Sequence, residues 1–190
     1  MRIIALSLLL LLLNCPGSVA QENKRYAHFT GALSAGPNWY YNNMRIFRDH
    51  VRPLNYSAYG SIMWNSGYRV SLGIETGYNQ FYRVGGVRND SIKASLTAIP
   101  IQLVIGMRLS ESFYVHFSFG PSLLLNRASI LTVDHSMLNT VFSFADGSFA
   151  LGYRKRLNNR FKLGLALKFN FSTKATDMNL ALPVLLSYEF

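Results

Sequence analysis

Apolar and polar residues alternate with a period of two along most of this chain, the signature of half-buried β-strands. The clearest case is residues 161–172. Phe161, Leu163, Leu165, Leu167, Phe169 and Phe171 share one face, and Lys162, Gly164, Ala166, Lys168, Asn170 and Ser172 share the other. Residues 68–80, 96–109 and 113–126 repeat the pattern, with Leu72 and Ile74, Leu103 and Ile105, and Phe117 and Phe119 on their apolar faces. In residues 26–39, Phe29, Leu33, Ala35 and Trp39 fall opposite His28, Thr30, Ser34 and Asn38. Residues 55–64 are weaker, with Ala58, Ile62 and Trp64 on the apolar side. Residues 142–154 change parity between Phe144 and Phe149, which predicts a bulge near Asp146-Gly147. Residues 180–190 end the series, with Leu182, Val184, Leu186, Tyr188 and Phe190 opposite Ser187 and Glu189.

That makes eight predicted strands. Their connections alternate in length. Residues 65–67, 110–112 and 157–160 are short turns, whereas 40–54, 82–90, 127–141 and 173–179 are longer loops. Short turns at one end and long loops at the other are the layout of a membrane barrel. Composition agrees. Hydrophobic residues make up 49% and charged residues 15%, yet after residue 20 no apolar run approaches the ~20 residues of a spanning helix. An apolar chain without such runs can cross a bilayer only as a closed barrel. The predicted fold is all-β, an eight-stranded antiparallel up-and-down transmembrane β-barrel, the smallest closed size.

The N-terminus reads as a secretory signal peptide. Arg2 supplies the basic region, residues 3–13 the apolar region, and Ser18-Val19-Ala20 a small-x-small cleavage site. The expected domains are a signal peptide over 1–20, cleaved near Ala20, and an outer-membrane barrel over 21–190. Cleavage there removes Cys15, leaving no thiol for disulfides, metal or catalysis. Asn14 before Cys15 fits a lipidation signal poorly.

Ala98-Ile99-Pro100-Ile101-Gln102-Leu103, Phe119-Gly120-Pro121 and the closing Leu182-Pro183-Val184-Leu185-Leu186-Ser187-Tyr188-Glu189-Phe190 resemble the PorT-like outer-membrane β-barrel family of Gram-negative bacteria. The resemblance covers most of the chain after the signal peptide. It implies an architecture and not a catalytic set. It also implies an envelope role, in some members service to secretion or gliding machinery. The terminal strand resembles the segment that barrel-assembly machinery reads, which makes Tyr188 and Phe190 the expected assembly signal.

The formal charge of +10 in an exported protein points to lipid headgroups or lipopolysaccharide phosphates instead of nucleic acid. Two residue sets carry candidate chemistry. Arg69, Glu75, His116, Lys162 and Lys168 fall on the polar faces and are expected to fill the lumen as a charge network. Tyr41, Arg45, Arg48 and Arg52 crowd the first long loop, where arginine forks suit phosphate. The expected function is a structural or interaction role at the envelope, through lipopolysaccharide, outer-membrane lipid or an envelope protein bound by the long loops. A small pore or ligand-binding barrel stays open as an alternative. A lipid-modifying enzyme is disfavoured, because His116 and Ser118 share an inward face. No phosphate loop, zinc motif or other cofactor signature occurs.

Overall fold

A computed structural model describes residues 27–41, 50–66, 68–87, 92–130, 135–174 and 177–190. The predicted signal peptide lies outside the described residues. Ten hydrogen-bonded segments form a single antiparallel sheet: β1 (His28–Tyr41), β2 (Val51–Arg52), β3 (Leu54–Asn65), β4 (Val70–Val87), β5 (Ile92–Arg108), β6 (Phe113–Ile130), β7 (His135–Arg156), β8 (Phe161–Ser172), β9 (Asp177–Ala181) and β10 (Val184–Glu189). They compose eight staves. Pro53 divides the second stave into β2 and β3, and Leu182-Pro183 divides the last into β9 and β10, because proline has no N–H to give the ladder.

The sheet closes on itself. β1 pairs with β3 on one side and with both β9 and β10 on the other. The two Pro-broken halves keep one continuous register, from Ala35↔Val184 to Asn38↔Ala181. Close approach at this seam dictates a glycine: a Cβ on Gly36 would meet the Leu182 carbonyl oxygen and sit 2.7 Å from Pro183 Cα. Any side chain here would push the closing staves apart.

The alternation decides which face meets lipid. Leu33 is 70% exposed and Ile101 59%, while the polar residues Ser34 and Gln102 beside them turn inward, half-buried and buried. The last stave follows the same parity. Leu182, Val184, Leu186 and Phe190 are exposed, and Ser187 and Glu189 turn inward. Aromatics bound the apolar band: Phe29, Trp64, Phe113, Tyr153 and Phe161 at one level, Trp39, Tyr41 and Tyr56 at the other. Ten residues separate Phe29 from Trp39. At ~3.3 Å per residue and a tilt of ~40° they span roughly 25 Å, the height of an outer-membrane apolar band.

One feature meets the sequence-based expectation and one departs from it. The parity change in β7 is a bulge beside Asp146: Gly120 pairs with Asp146 and Ser122 with Ser143, so two β7 residues face one on β6. The long loops, by contrast, are shorter than predicted. β4 runs on to Val87, β5 begins at Ile92, β6 reaches Ile130 and β7 starts at His135. Residues 82–87 and 127–130, together with 135–141, are therefore strand and not loop. They read as loop because their outer positions turn polar once they leave the bilayer, with Arg83, Lys93, Arg127 and Ser129 replacing leucines. Strand pairing continues regardless: Tyr82 and Val84 stay buried on β4, and β6 and β7 remain paired through Ile130↔His135.

Candidate functional site

Side chains fill the lumen in layers. At the long-loop end Tyr40, Phe81, Tyr82, Val84, Leu96, Ala98 and Leu124 pack into an apolar cluster on the inner wall. The Tyr40 hydroxyl donates to Asp177 Oδ1 at 2.5 Å. Asp177 stands above the outer girdle; burial raises its carboxyl, and the Tyr40 bond partly offsets that.

Below lies a chain of amides from staves across the barrel. Asn38 Nδ2 donates to Asn79 Oδ1 at 2.9 Å, and Asn179 Nδ2 donates to the same oxygen at 2.8 Å. Asn170 Nδ2 donates to Asn179 Oδ1 at 2.8 Å, and the Tyr59 hydroxyl to Asn170 Oδ1 at 3.2 Å. This chain joins β1, β4, β9, β8 and β3 through the lumen. Glu75 and Lys168 form an ion pair in the next layer, with the Lys168 ammonium 3.7 Å from the centre of the Tyr59 ring. Ser118 and Ser148 share a hydrogen bond of 2.7 Å. Towards the other mouth, Tyr114 lies between His116, at 4.5 Å, and the Arg154 guanidinium, at 5.2 Å. Lys162 pairs with Glu189, and His28 Nε2 lies 3.6 Å from the same carboxylate. A cavity of about 50 Å³ remains beside Glu75, His116 and Lys168, room for a water or two.

Of the five residues predicted to fill the lumen, Glu75, His116, Lys162 and Lys168 point inward. Arg69 does not. It is exposed in the turn before β4 and its carbonyl accepts from Arg108 N at 2.7 Å. It keeps the inner parity but lies beyond the end of β4, so it meets solvent at the rim. Arg154 also takes an inward place, on the parity opposite Phe149, Leu151 and Tyr153. The amide chain was also missed, because Asn38, Asn79, Asn170 and Asn179 come together only on closure.

Of the loop set, Arg45 and Arg48 lie outside the described residues. Tyr41 is exposed at the end of β1, and Arg52 is exposed on β2. Register places Arg52 opposite Arg83, Arg83 opposite Ser95, and Ser95 opposite Arg127. These positions, with Lys93, line an open cleft of about 570 Å³ on the outer wall. At the other rim, Tyr188 packs edge-on against Phe161 and Phe190, each at 5.0 Å. The Phe190 ring covers Gly31, and its N–H donates to the Phe29 carbonyl at 3.0 Å.

Closure, an apolar exterior and a filled lumen define the class: an eight-stranded transmembrane β-barrel. Solved structures agree on the fold. Ail, the attachment invasion locus protein of Yersinia pestis, superposes with a TM-score of 0.57 at 9% identity, over 87% of this chain and 100% of that one. The same holds for its complex with the heparin analogue sucrose octasulfate. Neisserial surface protein A superposes with a TM-score of 0.51 at 12% identity, over 87% and 100%. No protein-family model matches the sequence, and no curated protein sequence does either.

Proposed function

We propose that this protein is an outer-membrane interaction barrel of the PorT-like kind, anchored by a filled lumen and working through its extracellular end. The filled lumen carries this reading. A pore needs a continuous polar path, whereas here an apolar cluster, a cross-barrel amide chain and two ion pairs follow one another along the axis. An enzyme of the membrane surface needs its nucleophile and base to reach lipid. Ser118 is buried on the inner wall, bonded to Ser148, and His116 packs on Tyr114. Such a barrel serves as a rigid mount for its loops. Lipopolysaccharide or a surface partner held by Tyr41, Arg45, Arg48 and Arg52, or docking as an accessory of a larger envelope complex, is the role this suits.

Reconstitution of the full chain in planar bilayers tests the reading. No stepwise conductance above the lipid background is expected. Discrete single-channel steps would overturn it in favour of a pore.

The rim aromatics Tyr188 and Phe190 are proposed as the assembly signal. Phe190→Ser is expected to lower the amount of heat-modifiable, membrane-inserted protein several-fold. The same variant, refolded from urea into detergent, should reach the folded form normally. An equal failure in both settings would make Phe190 a packing residue instead of a signal.

A further inference from the structure

The outer wall at the long-loop end carries a basic cleft that shares Arg52 with the loop set and extends it across β4, β5 and β6. Arg52, Arg83 and Arg127 stand in one lateral row across β2, β4, β5 and β6, with Ser95 between the last two. Strands lie about 4.8 Å apart, so the row is roughly 15 Å long. Lys93 sits two residues along β5 from Ser95, opposite Ser129. All four cations are exposed. Their parity is that of the lipid-facing Ile101 and Leu103 on β5 and of Phe117 and Phe119 on β6, so they point away from the lumen. The inner side of this wall is the apolar cluster of Phe81, Tyr82, Leu96 and Leu124.

Like charges directly opposite each other on neighbouring strands are unfavourable, and Arg52 opposite Arg83 is such a pair. Among the described residues, no carboxylate lines the cleft and none forms a salt bridge with these four cations. The arrangement calls for an external anion. Arginine's donor fork favours phosphate oxygens.

Height selects the source of that anion. Just below the row, Tyr56 and Tyr78 stack at 5.3 Å on the outer wall. Interfacial tyrosines mark the headgroup level. The Arg83 guanidinium reaches down to 5.9 Å from the Tyr56 ring, which places its charge where phosphates of outer-leaflet lipid begin. Leu125 and Leu138 add apolar surface to the same cleft, as an amphipathic ligand requires. We propose that this cleft binds the phosphate groups of a phosphorylated glycolipid of the outer leaflet, with Arg52, Arg83, Lys93 and Arg127 as its ligands. The proposal rests on the reading of an outer-membrane interaction barrel and names the partner of its outer wall.

The test uses the full chain in phosphatidylcholine nanodiscs doped with bisphosphorylated lipid A or with the same lipid enzymatically dephosphorylated. Mass spectrometry of the purified discs reads lipid A retained per barrel. Wild type is expected to enrich the bisphosphorylated form and to show no preference for the dephosphorylated one. Each basic side chain near an anionic surface contributes roughly fivefold, so R52Q/R83Q/R127Q should lose roughly a hundredfold. The charge-matched control R69Q/K155Q/R156Q, at the opposite rim, should retain wild-type enrichment. All three substituted positions in each variant are exposed, and heat-modifiable migration verifies folding.

Undiminished enrichment in R52Q/R83Q/R127Q would overturn the proposal, and so would equal loss in the control variant. A third arm adds sucrose octasulfate to lipid A-free discs. Binding there as tight as to lipid A, and lost in the same variant, would assign the cleft to soluble polyanions and overturn the lipid assignment. Failure here leaves the bilayers silent; failure of the broader reading shows as conductance.

Discussion

Replacing Lys168 with methionine is expected to destabilise the barrel by about 3–5 kcal/mol, the usual effect of stripping a buried ion of its partner. The side chains of Lys168 and Glu75 are only 5% and 12% exposed. Methionine keeps most of the lysine's length and its contact with Tyr59. It leaves the Glu75 carboxylate inside a narrow lumen with no counter-charge and little water, since the adjoining cavity holds about 50 Å³. The double variant E75Q/K168M removes both charges and should recover most of the loss. Urea unfolding of protein inserted in short-chain phosphatidylcholine vesicles measures both. A cost under ~1 kcal/mol for the single variant would mean that the pair is solvated like one on a surface.

Placing a charge on the outer wall is the second large effect, and it depends on depth. Leu103 lies midway along the lipid-facing row from Ile99 to Met107 on β5 and is 55% exposed. Leu103→Arg puts a guanidinium at the bilayer centre and should cost about 2–4 kcal/mol. Met107→Arg, on the same strand and face but at the rim, should cost only ~0–1 kcal/mol, because its charge reaches the interface. The same vesicle unfolding experiment compares them. Equal costs at the two positions would mean that the face is not held in hydrocarbon. The lysine and leucine variants probe the inner and the outer face of the barrel wall, on β8 and β5, so together they test the inside-outside assignment.

The eight staves, the three short turns and the lipid-facing parity were legible in the chain because each depends on local rules. A strand alternates its side chains every residue, so Phe161 to Ser172 declares its two faces without help from elsewhere. Beyond the bilayer the rule failed in an instructive way. Arg83, Lys93 and Arg127 replaced the leucines on the outer face, and polarity was read as loop, while Phe81, Leu96 and Leu124 kept the inner face buried. Arg69 keeps the inner parity, but the strand has ended there, so it stands at the solvated mouth instead of deep in the lumen.

By itself, the sequence determined which residues can face lipid, how many times the chain crosses, and that charges at bilayer depth must lie inside. Those are properties of neighbours two residues apart. Tertiary structure alone decided which groups meet. Asn38, Asn79, Asn170 and Asn179 join across the lumen, Lys168 finds Glu75 at a separation of 93 residues, and Arg52, Arg83 and Arg127 align along one row. The physical reason is register. Hydrogen-bonded pairing and barrel closure fix the heights at which distant residues stand level, and those heights set every cross-lumen contact and every lateral cluster on the wall.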